Sequence, residues 1–133
     1  KSSIGLERFI SPAAKEVQNY ISAIMRGFAI VSHNKMLTIN NIIEIQEILE
    51  ESNAGLRKVP GTNLKNQETG EVVYEPPQSA QEIKKLMENL ELFINDNSLV
   101  DYDPIVKMAI VHFQFESIHP FYDGNCRTGR IFK

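Results

Sequence analysis

At 133 residues, with 42% apolar and 23% charged positions, the chain has the length and profile of one globular domain able to bury a core, which excludes a disordered or low-complexity role. A formal net charge of −3 gives no global attraction to nucleic acid or to an anionic membrane. One cysteine excludes an internal disulfide, and no apolar run approaches the roughly 20 residues that span a bilayer. No signal peptide is visible at Lys1, so a cytoplasmic protein is expected, and the missing initial Met suggests that the natural start lies upstream.

Helical periodicity dominates along the chain. Ser11-Pro12 reads as an N-cap with proline at the first helical position, ahead of Val17, Tyr20, Ile21, Ile24, Met25 and Phe28 at three- and four-residue steps. Thr38 opens a second series through Ile42, Ile45, Ile48 and Leu49. From Asn53 to Gln78 the helical rule breaks. Gly55, Gly61, Gly70, Pro60, Pro76 and Pro77 surround a short β-prone piece, Val72-Val73-Tyr74, after Thr69-Gly70. This predicts a long loop holding a small hairpin, either a binding loop or a surface excursion. Ser79-Ala80-Gln81-Glu82 has the form of a capping box ahead of Ile83, Leu86, Met87, Leu90, Phe93 and Ile94. Asp103-Pro104 caps a fourth run, Ile105 to Ile118, apolar on nearly every side and therefore predicted as the central, most buried helix. No internal repeat appears.

The fourth run delivers the most informative stretch, His119-Pro120-Phe121-Tyr122-Asp123-Gly124-Asn125-Cys126-Arg127-Thr128-Gly129-Arg130. An imidazole can take a proton from a hydroxyl near neutral pH, a carboxylate can hold Mg²⁺, and backbone N–H groups opening a helix attract phosphate oxygens. Arg127 and Arg130, at i and i+3, share a helix face, and planar guanidiniums match phosphate oxygens bidentately. Phosphoryl chemistry is the expectation. Gly124 and Gly129 mimic a P-loop, yet the Lys and Ser/Thr of that loop are missing. Three scattered histidines (His33, His112, His119) and one cysteine make no zinc spacing. Cys126 as a nucleophile with His119 as base remains an open alternative. His112 reads as a core histidine, and Lys84-Lys85 and Glu50-Glu51 as solvated helix faces.

The segment His119 to Arg130 resembles the signature of the Fic family, H-x-F-x-(D/E)-G-N-(G/K)-R-x-x-R, at every fixed position but one. Glu16-Val17-x-Asn19-Tyr20, Pro76-Pro77 and Ala109-x-x-His112-Phe113-x-Phe115-Glu116-x-Ile118 are similar to the bacterial branch of that family, so the resemblance covers nearly the whole chain. It implies an all-α, Fic-type helical bundle with a small β-hairpin flap inserted in a long loop. One domain spans 1–133, its N-terminal helical part in 1–37 and its core in 38–133, with the core expected to be truncated at its C-terminus. The implied activity is transfer of AMP from ATP, with Mg²⁺, onto a Ser, Thr or Tyr hydroxyl of a target protein. His119 would be the base, Phe121 the apolar anchor of the active-site loop and Asp123 the Mg²⁺ ligand. Gly124 and Asn125 would cradle phosphates through backbone and amide donors, with Cys126 beside them in the nucleotide site. Arg127 would hold the β-phosphate and Arg130 the γ-phosphate. The flap, within Lys65 to Glu75, would align the target by strand addition through Val72, Val73 and Tyr74.

Cys126 stands where the family has Gly or Lys, and its side chain is expected to reduce activity rather than abolish it. Ser3-Ile4-Gly5-Leu6-Glu7 resembles the family's inhibitory motif, in which Glu7 would pair with Arg130 in place of the γ-phosphate; Arg8 stands where Gly or Asn is expected. A capping role for Ser3 and Glu7 is the alternative. Partners are expected to be ATP and the target protein, without nucleic acid or membrane, and a homodimer is compatible with the sequence. Two further readings stay open: a relative that moves phosphocholine, UMP or a phosphoryl group, and a catalytically impaired nucleotide-binding or regulatory module.

Overall fold

In the computed structural model, residues 11–96 and 103–131 are described, the side chains of Cys126, Arg127 and Arg130 excepted. Five helices and one hairpin occur among them: α1 (Pro12–Asn34), α2 (Ile39–Glu50), β1 (Leu64–Lys65), β2 (Val72–Tyr74), α3 (Ala80–Asn95), α4 (Pro104–Ile118) and α5 (Asn125–Ile131).

Local chemistry sets the helix starts. Ser11 accepts a hydrogen bond from the Ala14 N–H, with proline following it in the first turn. Thr38 and Asn41 form a reciprocal capping box, each side chain bonding the other's backbone N–H. At Ser79 only the forward half of the predicted box forms: its hydroxyl accepts from the Glu82 N–H at 3.4 Å. Asp103 caps α4 through the Ile105 N–H. The ends of α1 and α2 turn off at Lys35 and Glu51, both left-handed with φ of 58° and 52°.

The core joins Ile42, Ile45 and Leu49 of α2, Ile83, Met87 and Leu90 of α3, and Val111, Phe115 and Ile118 of α4, with Phe121 set into it. α2 touches α1, α3 and α5, and so stands at the centre. Two expectations need correction. The buried face of α1 is Ala23, Gly27 and Ile30, whereas Val17, Ile21, Ile24, Met25 and Phe28 are exposed, Phe28 at 75%. Small side chains let α1 approach closely: a Cβ at Gly27 would lie 3.4 Å from both Ile45 and Ile131. Nor is α4 the most buried helix. Ile105, Val106, Met108 and Phe113 are exposed, because only α3 and α5 pack against it among the described residues.

The loop between α2 and α3 does hold the predicted hairpin. β1 and β2 pair antiparallel, Leu64 opposite Tyr74 and Lys65 opposite Val72, with a register irregularity between Leu64 and Lys65. Asn66 organises the turn, its side chain accepting from the Glu68 and Thr69 N–H groups, while Gly70 at φ 72° supplies the left-handed position. The fold is thus a helical bundle carrying one hairpin in a long loop, as expected.

Candidate active site

The site begins where α4 stops. His119 is the C-cap of α4, in left-handed geometry (φ 49°, ψ 59°), and donates its N–H to the Phe115 carbonyl at 3.0 Å. Left-handed backbone at a non-glycine residue is uncommon and costs free energy, so the surroundings must hold it. The buried Pro120 and Phe121 do so by entering the core, where the Phe121 ring packs on Phe115 with centroids 6.3 Å apart. Phe121 is thus buried in the core beside Phe115.

Asn125 closes the turn. Its Oδ1 accepts from the Phe121 N–H at 2.8 Å and its Nδ2 donates to the Phe121 carbonyl at 2.7 Å. The side chain, 5% exposed, braces the loop. Gly124 has φ 76°, and a Cβ there would lie 2.6 Å from Glu50 Oε1. The backbone conformation favours glycine here, and any side chain would have to displace the Glu50 carboxylate. Glu50 is consequently no simple solvated face, since it lies half-buried against the loop glycine. One turn earlier on α2, the buried Gln46 donates to the Asp123 carbonyl at 3.2 Å.

Sequence reasoning missed Arg57. It is 1% exposed and donates through Nε to the His119 carbonyl at 2.6 Å and through one terminal nitrogen to the Pro77 and Ile118 carbonyls at 2.9 and 3.1 Å. Its backbone N–H bonds the Pro120 carbonyl at 2.8 Å. The only sequence signal was a cation between Leu56 and Lys58 in a loop, which carries no period. The partners are 61 and 62 residues away for Ile118 and His119.

Burial and charge tune the His119 imidazole. The half-buried His119 imidazole titrates below its ordinary value of 6.5, first because burial disfavours imidazolium and second because Arg57 repels it; Glu116 and Asp123 pull upward and do not prevail. His119 is thus neutral at physiological pH and able to accept a proton. Tyr122, next to Phe121, accepts the Lys58 and Val59 N–H groups at its hydroxyl, and these two bonds lower its pKa. His112 is half-buried, its Nε2 3.2 Å from Glu116.

Asp123 is exposed, and its carboxylate makes no hydrogen bond among the described residues. It borders a cavity of about 90 Å³ that Glu50, Gln46 and Tyr122 also line, and the Gln46 Oε1 has no partner there. Carboxylate and carbonyl oxygens suit a hard cation such as Mg²⁺. No group of three or more His, Cys, Asp or Glu that could hold a metal occurs among the described residues, so Mg²⁺ here would draw remaining ligands from phosphate and water. Positions 127 and 130 fall on α5, three apart, with Thr128 and Gly129 buried between them. The side chains of Cys126, Arg127 and Arg130 lie outside the described residues, as do Ser3 and Glu7. Val72, Val73 and Tyr74 form β2, all exposed, and the Tyr74 hydroxyl donates to the Ser117 carbonyl at 2.8 Å, tying the hairpin to the turn that bears His119.

Known proteins resemble this chain in sequence and fold. The Fic/DOC family profile matches residues 31–132. The protein adenylyltransferase Fic of Aedes aegypti is 26% identical over 112 residues, 84% of this chain and 21% of that protein. The protein adenylyltransferase fic-1 of Caenorhabditis elegans is 36% identical over 55 residues, 41% of this chain and 11% of that protein. The chain thus spans about a tenth to a fifth of the length of these relatives. Among solved structures, a Fic domain containing signaling protein from Bacteroides thetaiotaomicron superposes with a TM-score of 0.73 at 22% identity, covering 89% of this chain and 45% of that one. Fic-1 from C. elegans gives 0.67 at 22% identity, covering 89% and 34%. These two likenesses speak for the fold. No helix among the described residues is long and apolar enough to cross a membrane. The chain belongs to the Fic/DOC family.

Proposed function

We propose that this protein transfers AMP from ATP to a hydroxyl side chain of a target protein. The observation that carries the reading is the base: a half-buried imidazole, held neutral by burial and Arg57, on a braced turn that leads directly to Asp123 and Gly124. The names of the relatives, protein adenylyltransferases, support the same chemistry.

In this reading His119 accepts the proton as a Ser, Thr or Tyr oxygen of the target attacks the α-phosphorus. The bond from that phosphorus to the β-phosphate oxygen breaks, and pyrophosphate leaves. Mg²⁺, when bound, neutralises charge on the phosphates and helps the leaving group depart. Asp123 would hold it. Gly124 keeps the backbone open to phosphate, and Arg127 and Arg130 supply charge for the β- and γ-phosphates. The edge of β2, with Val72, Val73 and Tyr74, would receive the target segment by strand addition.

Intact-mass analysis after incubation with MgATP and candidate target tests this. We expect a mass increment of one AMP on a hydroxyl residue, and a rate reduced about 10² to 10⁴-fold in His119→Ala with ATP affinity nearly intact. Labelling by His119→Ala at the native rate would remove His119 from the role of base.

Autoinhibition through Glu7 is part of the proposal. A carboxylate paired with Arg130 would occupy the place of the γ-phosphate and repel ATP. Glu7→Gly is expected to raise AMP transfer by at least about tenfold, equivalent to about 1.4 kcal/mol. Unchanged transfer in that variant would return Ser3 and Glu7 to capping.

A further inference from the structure

We infer that Arg57 is a positioning residue for this reaction: one buried guanidinium clamps the end of α4 that carries His119 to the segment that closes the hairpin loop. The inference rests on the transfer reading for its functional meaning, and on geometry for its substance.

Three carbonyls converge on Arg57, those of Ile118 and His119 from the end of α4 and that of Pro77 from beyond β2, at 3.1, 2.6 and 2.9 Å. The first two belong to the turn where helix carbonyls lack partners along the chain and where the helix dipole is negative, so a cation is favoured there. A planar fork addresses these carbonyls from two nitrogens in fixed directions, a spread that the single nitrogen of an ammonium does not reproduce. The backbone of Arg57 adds its N–H to Pro120, the residue after the base. On the other side of the turn, Tyr74 of β2 donates to Ser117. The strand offered to a target and the imidazole that would deprotonate it are therefore tied to one another at two points, through Arg57 and through Tyr74.

Its position also sets the charge felt by the imidazole. Among the described residues, the charged groups facing His119 are Arg57 from the α2–α3 loop, Glu116 from α4 and Asp123 from the turn, and of these only Arg57 acts to hold the ring neutral. Arg57 thereby does two things for one base. It holds the left-handed His119 backbone by its carbonyl, and it opposes protonation.

Two variants of the full chain separate these effects. Arg57→Met removes charge and fork; Arg57→Lys keeps charge and loses the fork. The imidazole of His119 is titrated by NMR, which needs no substrate. We expect its midpoint to rise in Arg57→Met and to stay near the native value in Arg57→Lys. In Arg57→Lys, amide exchange at His119 and Phe121 should accelerate by more than about tenfold relative to Ile42 and Ile45 in the core. The transfer rate at saturating ATP should fall by about tenfold or more, with the KM for ATP within about twofold. A folded Arg57→Met with an unmoved His119 midpoint would overturn the electrostatic part. If Arg57→Met does not fold, native exchange at His119 and Phe121 in Arg57→Lys overturns the clamp. Absence of AMP transfer by the native protein would refute the proposed reaction while leaving both NMR readouts decisive for Arg57.

Discussion

His119 combines an unfavourable backbone with a lowered proton affinity, and both follow from what surrounds it. The left-handed φ of 49° is held by the core insertion of Phe121 and by the carbonyl bond to Arg57. Because the folded protein binds a proton at His119 less readily than the unfolded chain, stability depends on pH in a definite direction. The unfolded chain takes up more protons below pH 6.5, so the folded state loses stability as pH falls from there through the lowered folded pKa. Thermal unfolding followed from neutral to acid pH should show this decline, and His119→Gln should flatten that part of the curve. A stability that rises on acidification would contradict the sign. Gly124 offers a second residue-scale prediction. Alanine would place a methyl 2.6 Å from Glu50 Oε1 at φ 76°, a strained and crowded position. Gly124→Ala is expected to cost about 1–3 kcal/mol and to impair nucleotide binding. Denaturant unfolding with an undiminished midpoint and native ATP affinity would show that the Glu50 side chain moves away freely.

At the scale of elements, α2 serves the site more than its apolar pattern suggests. One face, Ile42, Ile45 and Leu49, builds the core, while Gln46 and Glu50 reach the loop that bears Asp123 and Gly124. The α2–α3 loop contributes from the other side through Arg57 and the hairpin. The hairpin is only a few residues long, and two such short strands have little stability alone. Its tie to α4 is therefore consequential. Tyr74→Phe removes the bond to Ser117 and should lower stability by at most about 0.5–1.5 kcal/mol, because the residue is exposed. Its larger effect is expected on the KM for the target protein, with the KM for ATP unchanged. Equal changes in both constants would mean that the hairpin does not act through the target.

For the molecule as a whole, what was legible in the sequence was what depends on near neighbours. Ser11, Thr38, Ser79 and Asp103 cap helices through bonds to residues two or three positions on, so the helix starts could be read directly. Gly70 and the β-branched pair Val72-Val73 announced the hairpin for the same reason. The signature from His119 to Arg130 pointed to a candidate site, and its apolar Phe121 lies in the core against Phe115. What could not be read depends on contacts across the fold. The outward turn of Val17, Ile21, Met25 and Phe28 reflects the choice of α1 to pack through Ala23 and Gly27. Arg57 and Glu50 matter because of residues more than sixty positions distant, and no local pattern encodes that. The braced Asn125 amide was likewise hidden, since its partner is settled by how the turn folds.

The central claim is that this Fic/DOC chain moves AMP, with His119 as base. Parallel reactions with ATP labelled at the α-phosphate and at the γ-phosphate, using native protein and His119→Ala, test it most directly. The account predicts α-label on protein hydroxyls, no γ-label, and loss of the α-label signal in His119→Ala. Transfer of γ-label, or α-label incorporation that persists undiminished in His119→Ala, would contradict it.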